Sequence, residues 1–247
     1  MKSSKNNPTK NKTREVTLSR RSALAPKTLQ VQGGIERAAH NKTILSLFDN
    51  SGTWSQPYVD AGYDVICLDK QIEGIDISDF CVEYLAEELE LPPFIHGILA
   101  AVPCTEFACS GARWFSEKDK DGRTAKAIDL VEKTLATVEY YSWDGGDEET
   151  EEFGLKFWAI ENPVGRVNSL MPEMKNFGPW YFQPCDYGDP YTKKTGLWGE
   201  FNRDLRQNPV EPTLGSKMHK VPPGPERQNI RSQTPEGFAR AFFNANQ

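Results

Sequence analysis

A cysteine and a glutamate, each placed where an apolar run ends, carry the chemistry that this sequence suggests. Cys104 follows the run 95–102 and a proline, and Glu161 follows the run 157–160. Short apolar runs with such boundaries predict buried strands. The carboxyl ends of parallel strands form the edge at which open α/β sheets hold ligands. A thiol at this edge is placed to act as a nucleophile.

A thiol beside a carboxyl group suits conjugate addition to a pyrimidine ring better than it suits hydrolysis. Acyl transfer by a thiol normally uses histidine as its general base, and neither His40 nor His219 lies in a motif. On a pyrimidine, the thiolate attacks C6 while the acid hydrogen-bonds N3, and C5 becomes nucleophilic. We therefore interpret Cys104 as the nucleophile and Glu161 as the acid. The alternative for Glu161 is a structural cap of the turn that follows it.

Three further strand ends point to a nucleoside cofactor. The strand 42–49 leads into a turn at Gly52, where a ligand can approach the backbone closely. Asp69 closes the strand 64–69 and could accept hydrogen bonds from ribose hydroxyls. A short third strand would place Asp76 to receive an adenine amino group. The turn lacks the full GxGxxG pattern, which argues against a dinucleotide.

Ordered motifs extend this pattern along residues 44–243. They are Ser46-Leu47-Phe48-Asp49-Asn50-Ser51-Gly52, Pro103-Cys104-Thr105-Glu106-Phe107, Glu161-Asn162-Pro163, the segment 185–198 and the segment 231–239. Together they resemble the motifs of compact DNA (cytosine-5)-methyltransferases of the kind met in bacteriophages and bacteria. In that family these motifs are the cofactor loop, the nucleophile motif, the Glu-Asn-Val motif, a signature of short members and a closing helix.

The resemblance implies transfer of a methyl group from S-adenosylmethionine to C5 of a cytosine flipped out of double-stranded DNA, through a covalent bond from Cys104 to C6. The cofactor-binding residues it implies are Phe48, Asp49, Ser51, Gly52, Asp69, Lys70, Asp76, Ile77, Pro103 and Thr234. The nucleic acid would be contacted by Lys193, Lys194, Arg203 and Arg206. The family's Gln-x-Arg-x-Arg motif is absent, and we take Arg166 as a catalytic candidate for contacting cytosine O2, with Lys193 or Lys194 as alternatives.

Several alternatives stay open at the level of sequence. The same fold could act on RNA or on a free pyrimidine nucleotide, or could use a modified donor. The chain could also be a catalytically inactive nucleic-acid-binding or decoy protein. Asp189-Pro190-Tyr191 partly matches the motif of amino-methyltransferases, although it lacks the second proline.

Alternating strands and helices predict an α/β fold. We expect a Rossmann-like class I S-adenosylmethionine-dependent methyltransferase fold, with a mostly parallel, seven-strand-type sheet and helices on both faces. Helices are predicted at 56–61, 82–91, 125–140 and 237–246, and the stretch 165–235 reads mostly as loops. The catalytic domain would span 41–247, with a minimal target-recognition segment at about 200–230.

The charge is unevenly distributed along the chain. The 247 residues carry a net −6, but residues 1–42 hold ten basic and two acidic residues, which is a local +8 and leaves −14 on the rest. We expect 1–40 to be a basic, disordered tail that either serves a polyanion partner or is simply solvated.

The remaining composition predicts compartment and assembly. The sequence shows neither a secretory signal nor an apolar run of about 20 residues, so we expect no membrane segment. Five scattered cysteines without a CxxC pair, and three histidines, predict neither disulfides nor a metal. We expect a monomer in the cytoplasm, which is the host cytoplasm if the chain is phage-encoded.

Overall fold

The computed structural model describes residues 42–70, 91–142 and 154–247. The predicted tail, the strand at 75–77 with Asp76 and Ile77, and all but the last residue of the predicted helix 82–91 lie outside these ranges. The tail and the domain boundary at 41 therefore stay predictions.

A six-stranded sheet forms the centre of the described part. Its strands are β1 (Thr43–Leu47), β2 (Asp64–Leu68), β3 (Gly97–Ala100), β4 (Phe157–Pro163), β5 (Trp180–Phe182) and β6 (Thr195–Glu200), in the order β2-β1-β3-β4-β6-β5. Strands β1 to β4 pair in parallel, and β6 runs antiparallel to both of its neighbours. The predicted mostly parallel α/β sheet is thus confirmed. Six strands lie within the described ranges, and the position predicted for another strand lies outside them.

The strand order creates a switch point beside β1. The chain passes from β1 to β2 on one side, and β3 then pairs with the other side of β1. In open α/β sheets, ligands bind outside the carboxyl ends of the strands at such a point. The topology therefore directs attention to the loops that follow β1 and β3.

Helices cover both faces of the sheet. The α-helices are α1 (Gln56–Asp60), α2 (Phe115–Lys120), α3 (Arg123–Ser142), α4 (Val167–Leu170), α5 (Lys217–Lys220), α6 (Arg227–Ser232) and α7 (Glu236–Ala245). Short 3-10 helices span Cys109–Trp114, Pro172–Asn176 and Pro184–Tyr187. The predicted helices at 56–61, 125–140 and 237–246 correspond to α1, α3 and α7.

The buried side chains divide into two cores because neighbouring strand residues point to opposite faces. Along β4, Trp158 and Ile160 pack in a core with Val131 of α3. Phe157 and Ala159 belong instead to the core on the other face, which includes the aromatic residues of α1 and α7: Tyr58, Phe238 and Phe242. This alternation fixes the register of the sheet, and with it the positions of the strand ends.

The prediction that 165–235 is mostly loop is wrong for β5 and β6. The two glycines of β6 obscured its alternation in the sequence. A Cβ atom on Gly199 would lie 2.1 Å from the carbonyl oxygen of Trp158, so glycine allows β4 and β6 to approach closely. Trp198, assigned to a loop signature from the sequence, lies within β6.

Candidate active site

A cleft of about 1110 Å³ opens at the carboxyl ends of β1 to β4. A volume of this size suits one or two small ligands, since small-molecule pockets measure roughly 300–1,000 Å³. Most of the predicted site residues line it, namely Phe48, Asp49, Ser51, Asp69, Lys70, Pro103, Cys104, Glu161, Lys193 and Lys194. These residues, which are distant from one another in the sequence, therefore share one cleft.

Parallel pairing of β3 with β4 brings Cys104 and Glu161 to one edge. Ala100 pairs with Ile160 in the register, so Glu161 lies just past this pair. The chain turns directly after β3, where the Cys104 carbonyl accepts hydrogen bonds from the backbone N–H groups of Phe107 and Ala108, at 3.0 and 2.9 Å. This turn keeps the cysteine at the cleft wall instead of carrying it away from the sheet.

Lys193 completes this part of the cleft because β6 is antiparallel. The residues just before β6 reach the carboxyl end of β4, and the Lys193 Nζ lies 3.7 Å from the Glu161 Oε1. Glu161 is 5% exposed, and its Oε1 has no hydrogen-bond partner among the described residues. Burial raises the pKa of Glu161, the nearby charge of Lys193 opposes this, and Asp49 adds to it. The site thus holds a buried acid that has an open hydrogen-bonding position.

The thiol responds to the same charges. Burial is the main cause that raises the pKa of Cys104, and the charge of Glu161 raises it further. Lys193 and Arg231 act in the opposite direction. Protonation of Glu161 would remove one of the two effects that disfavour the thiolate, so the acid and the thiol are coupled.

The loop after β1 is organised around a second buried acid. The Asp49 carboxylate accepts hydrogen bonds from three hydroxyl groups: Ser46 at 3.1 Å, Ser51 at 3.0 Å and Ser55 at 3.4 Å. Burial raises its pKa, and these hydrogen bonds partly offset the rise. Asp49 lines the cleft, but its oxygens hold the loop that a cofactor would approach.

Two left-handed residues shape the same loop. Phe48 has a φ of 59°, which is rare for a bulky side chain and carries a strain of about 1–3 kcal/mol. Its N–H donates to the carbonyl of Leu68 at 2.7 Å, which ties the ends of β1 and β2 together. Gly52 has a φ of 63° and begins the turn into α1. Such strain concentrates at ligand sites, and here it lies at the switch point of the sheet.

The loop that follows Cys104 is held in place by two cations. Lys118, which is 4% exposed, donates to the carbonyl of Thr105 and lies 3.6 Å from the Glu106 carboxylate. The Arg166 Nε donates to the carbonyl of Glu106 at 3.0 Å. A Cβ on Gly165 would lie 2.0 Å from the Phe107 carbonyl, so glycine lets the two loops pack together.

The structure gives Arg166 a different position from the one expected of a residue that contacts cytosine O2. Its two terminal nitrogens donate to both Asp119 oxygens, at 2.9 and 2.8 Å, and one also donates to Thr124. Its guanidinium group lies 3.7 Å from the centre of the Phe115 ring. With these donors engaged, Arg166 supports the loop, and Lys193 is the cation beside Glu161.

Other predicted residues lie away from the cleft wall. Thr234 is buried just before α7. Arg203 donates to the Phe177 carbonyl at 3.3 Å. Arg206 lines a separate cavity of about 570 Å³ near Tyr187 and α7. The structure does not bring these three residues together with Cys104.

Asp189, the acid of the partial amino-methyltransferase motif, has a structural contact. Its Oδ2 accepts a hydrogen bond from the Gly237 N–H at 3.0 Å, at the start of α7. Asp189 does not belong to the described residues that line the large cleft.

The segment predicted for minimal target recognition, at about 200–230, supplies much of the opposite wall. Three of its residues, His219, Arg227 and Gln228, line the cleft together with Arg231. Lys126 of α3 also lines it, and nothing in the sequence singled it out. The interpretation of 165–235 as mostly loop hid the helical spacing of Arg227 and Arg231.

The described residues form neither a candidate metal site nor a candidate membrane-spanning helix. No group of three or more His, Cys, Asp or Glu in these ranges could hold a metal ion. No helix in them is long and apolar enough to cross a membrane.

Known proteins resemble this chain only distantly, and two solved structures illustrate the similarity. No family model and no curated protein sequence matches the chain. The methyltransferase EhMeth of Entamoeba histolytica matches with 12% identity and a TM-score of 0.40, over 75% of this chain and 61% of that protein. A variant of DNMT2 from Spodoptera frugiperda matches with 15% identity and a TM-score of 0.39, over 74% of this chain and 60% of its own. The chain spans about three fifths of each neighbour, and similarity this low does not identify its reaction.

Proposed function

We propose that this chain is an S-adenosylmethionine-dependent methyltransferase of the compact cytosine-5 type, acting on DNA. One observation carries the proposal. Cys104 and the buried acid Glu161, whose Oε1 has an open hydrogen-bonding position, line one cleft at the switch point of the sheet, with Lys193 beside the acid. A thiol nucleophile, a proton-holding carboxyl and a cation are the groups that addition to a cytosine ring requires.

The other part of the cleft fits a nucleoside donor. Asp69 closes β2 and lines the cleft, where its carboxylate would hold ribose hydroxyls. The strained Phe48 and the loop organised by Asp49 would lie against the rest of the donor. S-adenosylmethionine would supply an electrophilic methyl group to cytosine C5.

The chain's own groups would carry out the addition and the elimination. The Cys104 Sγ forms a bond to C6, the proton held on the Glu161 carboxyl is shared with N3, and electron density moves to C5. Transfer of the methyl group to C5 would release S-adenosylhomocysteine, and loss of the C5 proton to a base would then allow the Sγ–C6 bond to break. The N3 proton then returns to Glu161, and the thiolate is released.

The coupling between the two side chains supports this sequence. A resting thiol with a raised pKa and a resting carboxylate are poor reactants for the addition. Transfer of one proton from the Cys104 thiol to Glu161 produces a thiolate and a carboxylic acid together. Lys193 stabilises the thiolate in this second state, because its charge lowers the pKa of Cys104.

DNA is proposed as the partner because cations surround the cleft. Lys70, Lys126, Lys193, Lys194, Arg227 and Arg231 line it. Cys104 cannot reach C6 within a stacked duplex, so the cytosine would be flipped at a cost of a few kcal/mol. Phosphate contacts from these cations would offset that cost and make binding strongly salt-dependent.

Mass spectrometry of nucleosides tests the proposal. Cells that express the wild-type chain should contain 5-methylcytosine in DNA above the level found in cells that express Cys104→Ala. A rise in 5-methylcytosine confined to RNA or to the free nucleotide pool would show that DNA is not the substrate. Another adduct on cytosine would show that the donor is not S-adenosylmethionine. No difference between the two strains in any pool would contradict the proposed reaction.

A further inference from the structure

Two arginines of α6 face the cleft without an acidic partner among the described residues. Arg227 and Arg231 are four residues apart, which places them on one side of the helix, and both line the cleft wall. Within the described ranges, neither side chain forms an ion pair, and the Arg227 Nε is buried without a hydrogen-bond partner. Removing a guanidinium group from water without a partner costs free energy, so we expect a ligand to be the partner of these arginines.

The other arginines near the cleft show a different arrangement. Arg166 is bound by Asp119, and Arg123 is paired with Glu117 and Asp121. These acids balance the positive charge within the protein. The pair on α6 lacks such a balance among the described residues, so its two positive charges remain available to an anion.

One member of the pair, Arg231, also lies within electrostatic reach of the nucleophile. Arg231 is among the charges that act on Cys104. A ligand whose ring sits at Cys104 can therefore extend an attached anionic group towards α6. In a pyrimidine nucleotide, that group is the phosphate on the sugar.

We propose that Arg227 and Arg231 form a phosphate-binding site for the substrate. The guanidinium group presents paired N–H donors that match phosphate oxygens, and such charge-assisted hydrogen bonds are strong. The phosphate is either a diester beside the target cytosine or the monoester of a free nucleotide. This inference rests on the proposed function, because it takes the ligand at Cys104 to be a pyrimidine.

Protection of Cys104 from alkylation by iodoacetamide measures the site without any methyl transfer. The competing ligands are deoxycytidine, deoxycytidine monophosphate and the DNA trinucleotide TpCpT, in which the central deoxycytidine is flanked by two phosphodiesters. For Arg227→Gln/Arg231→Gln, the half-protecting concentration of the two phosphate-bearing ligands should rise about 10- to 100-fold, while that of deoxycytidine should not change. Tighter binding of the trinucleotide than of the monophosphate by the wild type identifies the diester, and the reverse order identifies the free nucleotide.

Lys175→Gln/Arg240→Gln is the matched control, since it removes the same charge from two exposed residues that do not line the cleft. In this control, each ligand should protect Cys104 at the same concentration as in the wild type. Arg227→Lys/Arg231→Lys should bind the phosphate-bearing ligands with an affinity between those of the wild type and the Gln pair, because it keeps the charge but loses the paired N–H donors. The three variants should melt at the same temperature. The phosphate site would be overturned if both Gln pairs lost the same affinity for the phosphate-bearing ligands, or if Arg227→Gln/Arg231→Gln lost as much affinity for deoxycytidine as for these ligands. It would also be overturned if no ligand protected Cys104 of the wild type. Nucleoside mass spectrometry would still decide the proposed reaction independently.

Discussion

Within residues 42–70, 91–142 and 154–247, two buried acids each lie near a thiol, and the two pairs differ in what surrounds them. Asp49 and Glu161 are 4% and 5% exposed, and burial raises the pKa of both. Each acts on the pKa of a nearby cysteine, Asp49 on Cys67 and Glu161 on Cys104. Asp49 is held by three serine hydroxyls, whereas the Glu161 Oε1 has no hydrogen-bond partner among the described residues and lies 3.7 Å from the Lys193 Nζ.

This difference separates a structural acid from an acid available for chemistry. The hydroxyls around Asp49 satisfy its oxygens and fix the loop after β1. Cys67 has a serine hydroxyl at 3.6 Å and a pKa of about 11, and no cation is among the causes of its shift. Glu161 and Cys104 face a cleft in which Lys193 and Arg231 favour the thiolate. Burial and a raised pKa are therefore common to both pairs, and the open hydrogen-bonding position with its cations is what distinguishes the second.

Removing each thiol should give the largest contrast between the pairs. We expect Cys104→Ala to lose methyl transfer completely, since no other group would bond to C6. Cys67→Ala should keep most of the wild-type rate, because Cys67 packs at the structural pair. Transfer of a radiolabelled methyl group to DNA measures both variants. Comparable losses in the two would remove the distinction between the thiols.

Removing each acid's charge should separate rate from stability. Glu161→Gln should lower kcat by about 10²–10⁴, the usual contribution of a general acid, and leave the fold intact. Asp49→Asn should instead lower the free energy of unfolding by about 1–3 kcal/mol, through disturbed hydrogen bonds with its serines. Urea unfolding and kcat at saturating donor measure the two effects. A large loss of kcat with unchanged stability in Asp49→Asn would make it a second functional acid.

Much of the site follows from the sequence, and the parts that do not have a physical reason. Cys104 and Glu161 were located because apolar runs that end at polar residues reveal strands, and parallel strands end at one edge. Lys193 was one of three candidates for the contact to cytosine O2. Its approach to Glu161 could not be predicted, because it depends on the antiparallel β6, and the glycines of β6 hid this strand in the sequence. The position of Arg166 could not be foreseen, since the acid that binds it, Asp119, is distant in sequence and lies in no motif.

The clamp on the nucleophile loop gives a smaller predicted effect. Lys118→Met removes the cation that binds Thr105 and Glu106, and the loop should lose its alignment. We expect kcat to fall about 10- to 100-fold without a change in the KM for the donor. The pH dependence of the rate of Cys104 alkylation should also shift. Lys120→Met, an exposed lysine on the same helix, is the control and should behave as the wild type. An unchanged alkylation profile would contradict a positioning role.

The pH dependence of stability gives the smallest predicted effect. Folding raises the pKa of Glu161 above its ordinary value of 4.5, so the folded state binds a proton more tightly than the unfolded state does. Its contribution to stability is therefore complete below about pH 4.5 and is lost as the pH rises through the folded pKa. Glu161→Gln should match the wild type at low pH and exceed its stability at higher pH by about 1 kcal/mol or more. Urea unfolding across pH 4 to 8 checks this, and a constant difference would show that the pKa of Glu161 is not raised.

Covalent trapping tests most directly whether Cys104 and Glu161 form the reactive pair. In DNA that contains 5-fluorocytosine, the fluorine at C5 cannot leave as a proton does, so the bond from the thiol to C6 should persist. With S-adenosylmethionine present, the wild type and Cys67→Ala should each yield a protein–DNA adduct, and peptide mapping should place it on Cys104. Cys104→Ala should give no adduct, and Glu161→Gln should form it far more slowly than the wild type. An adduct that survives in Cys104→Ala, or one that forms at the wild-type rate in Glu161→Gln, would contradict this assignment.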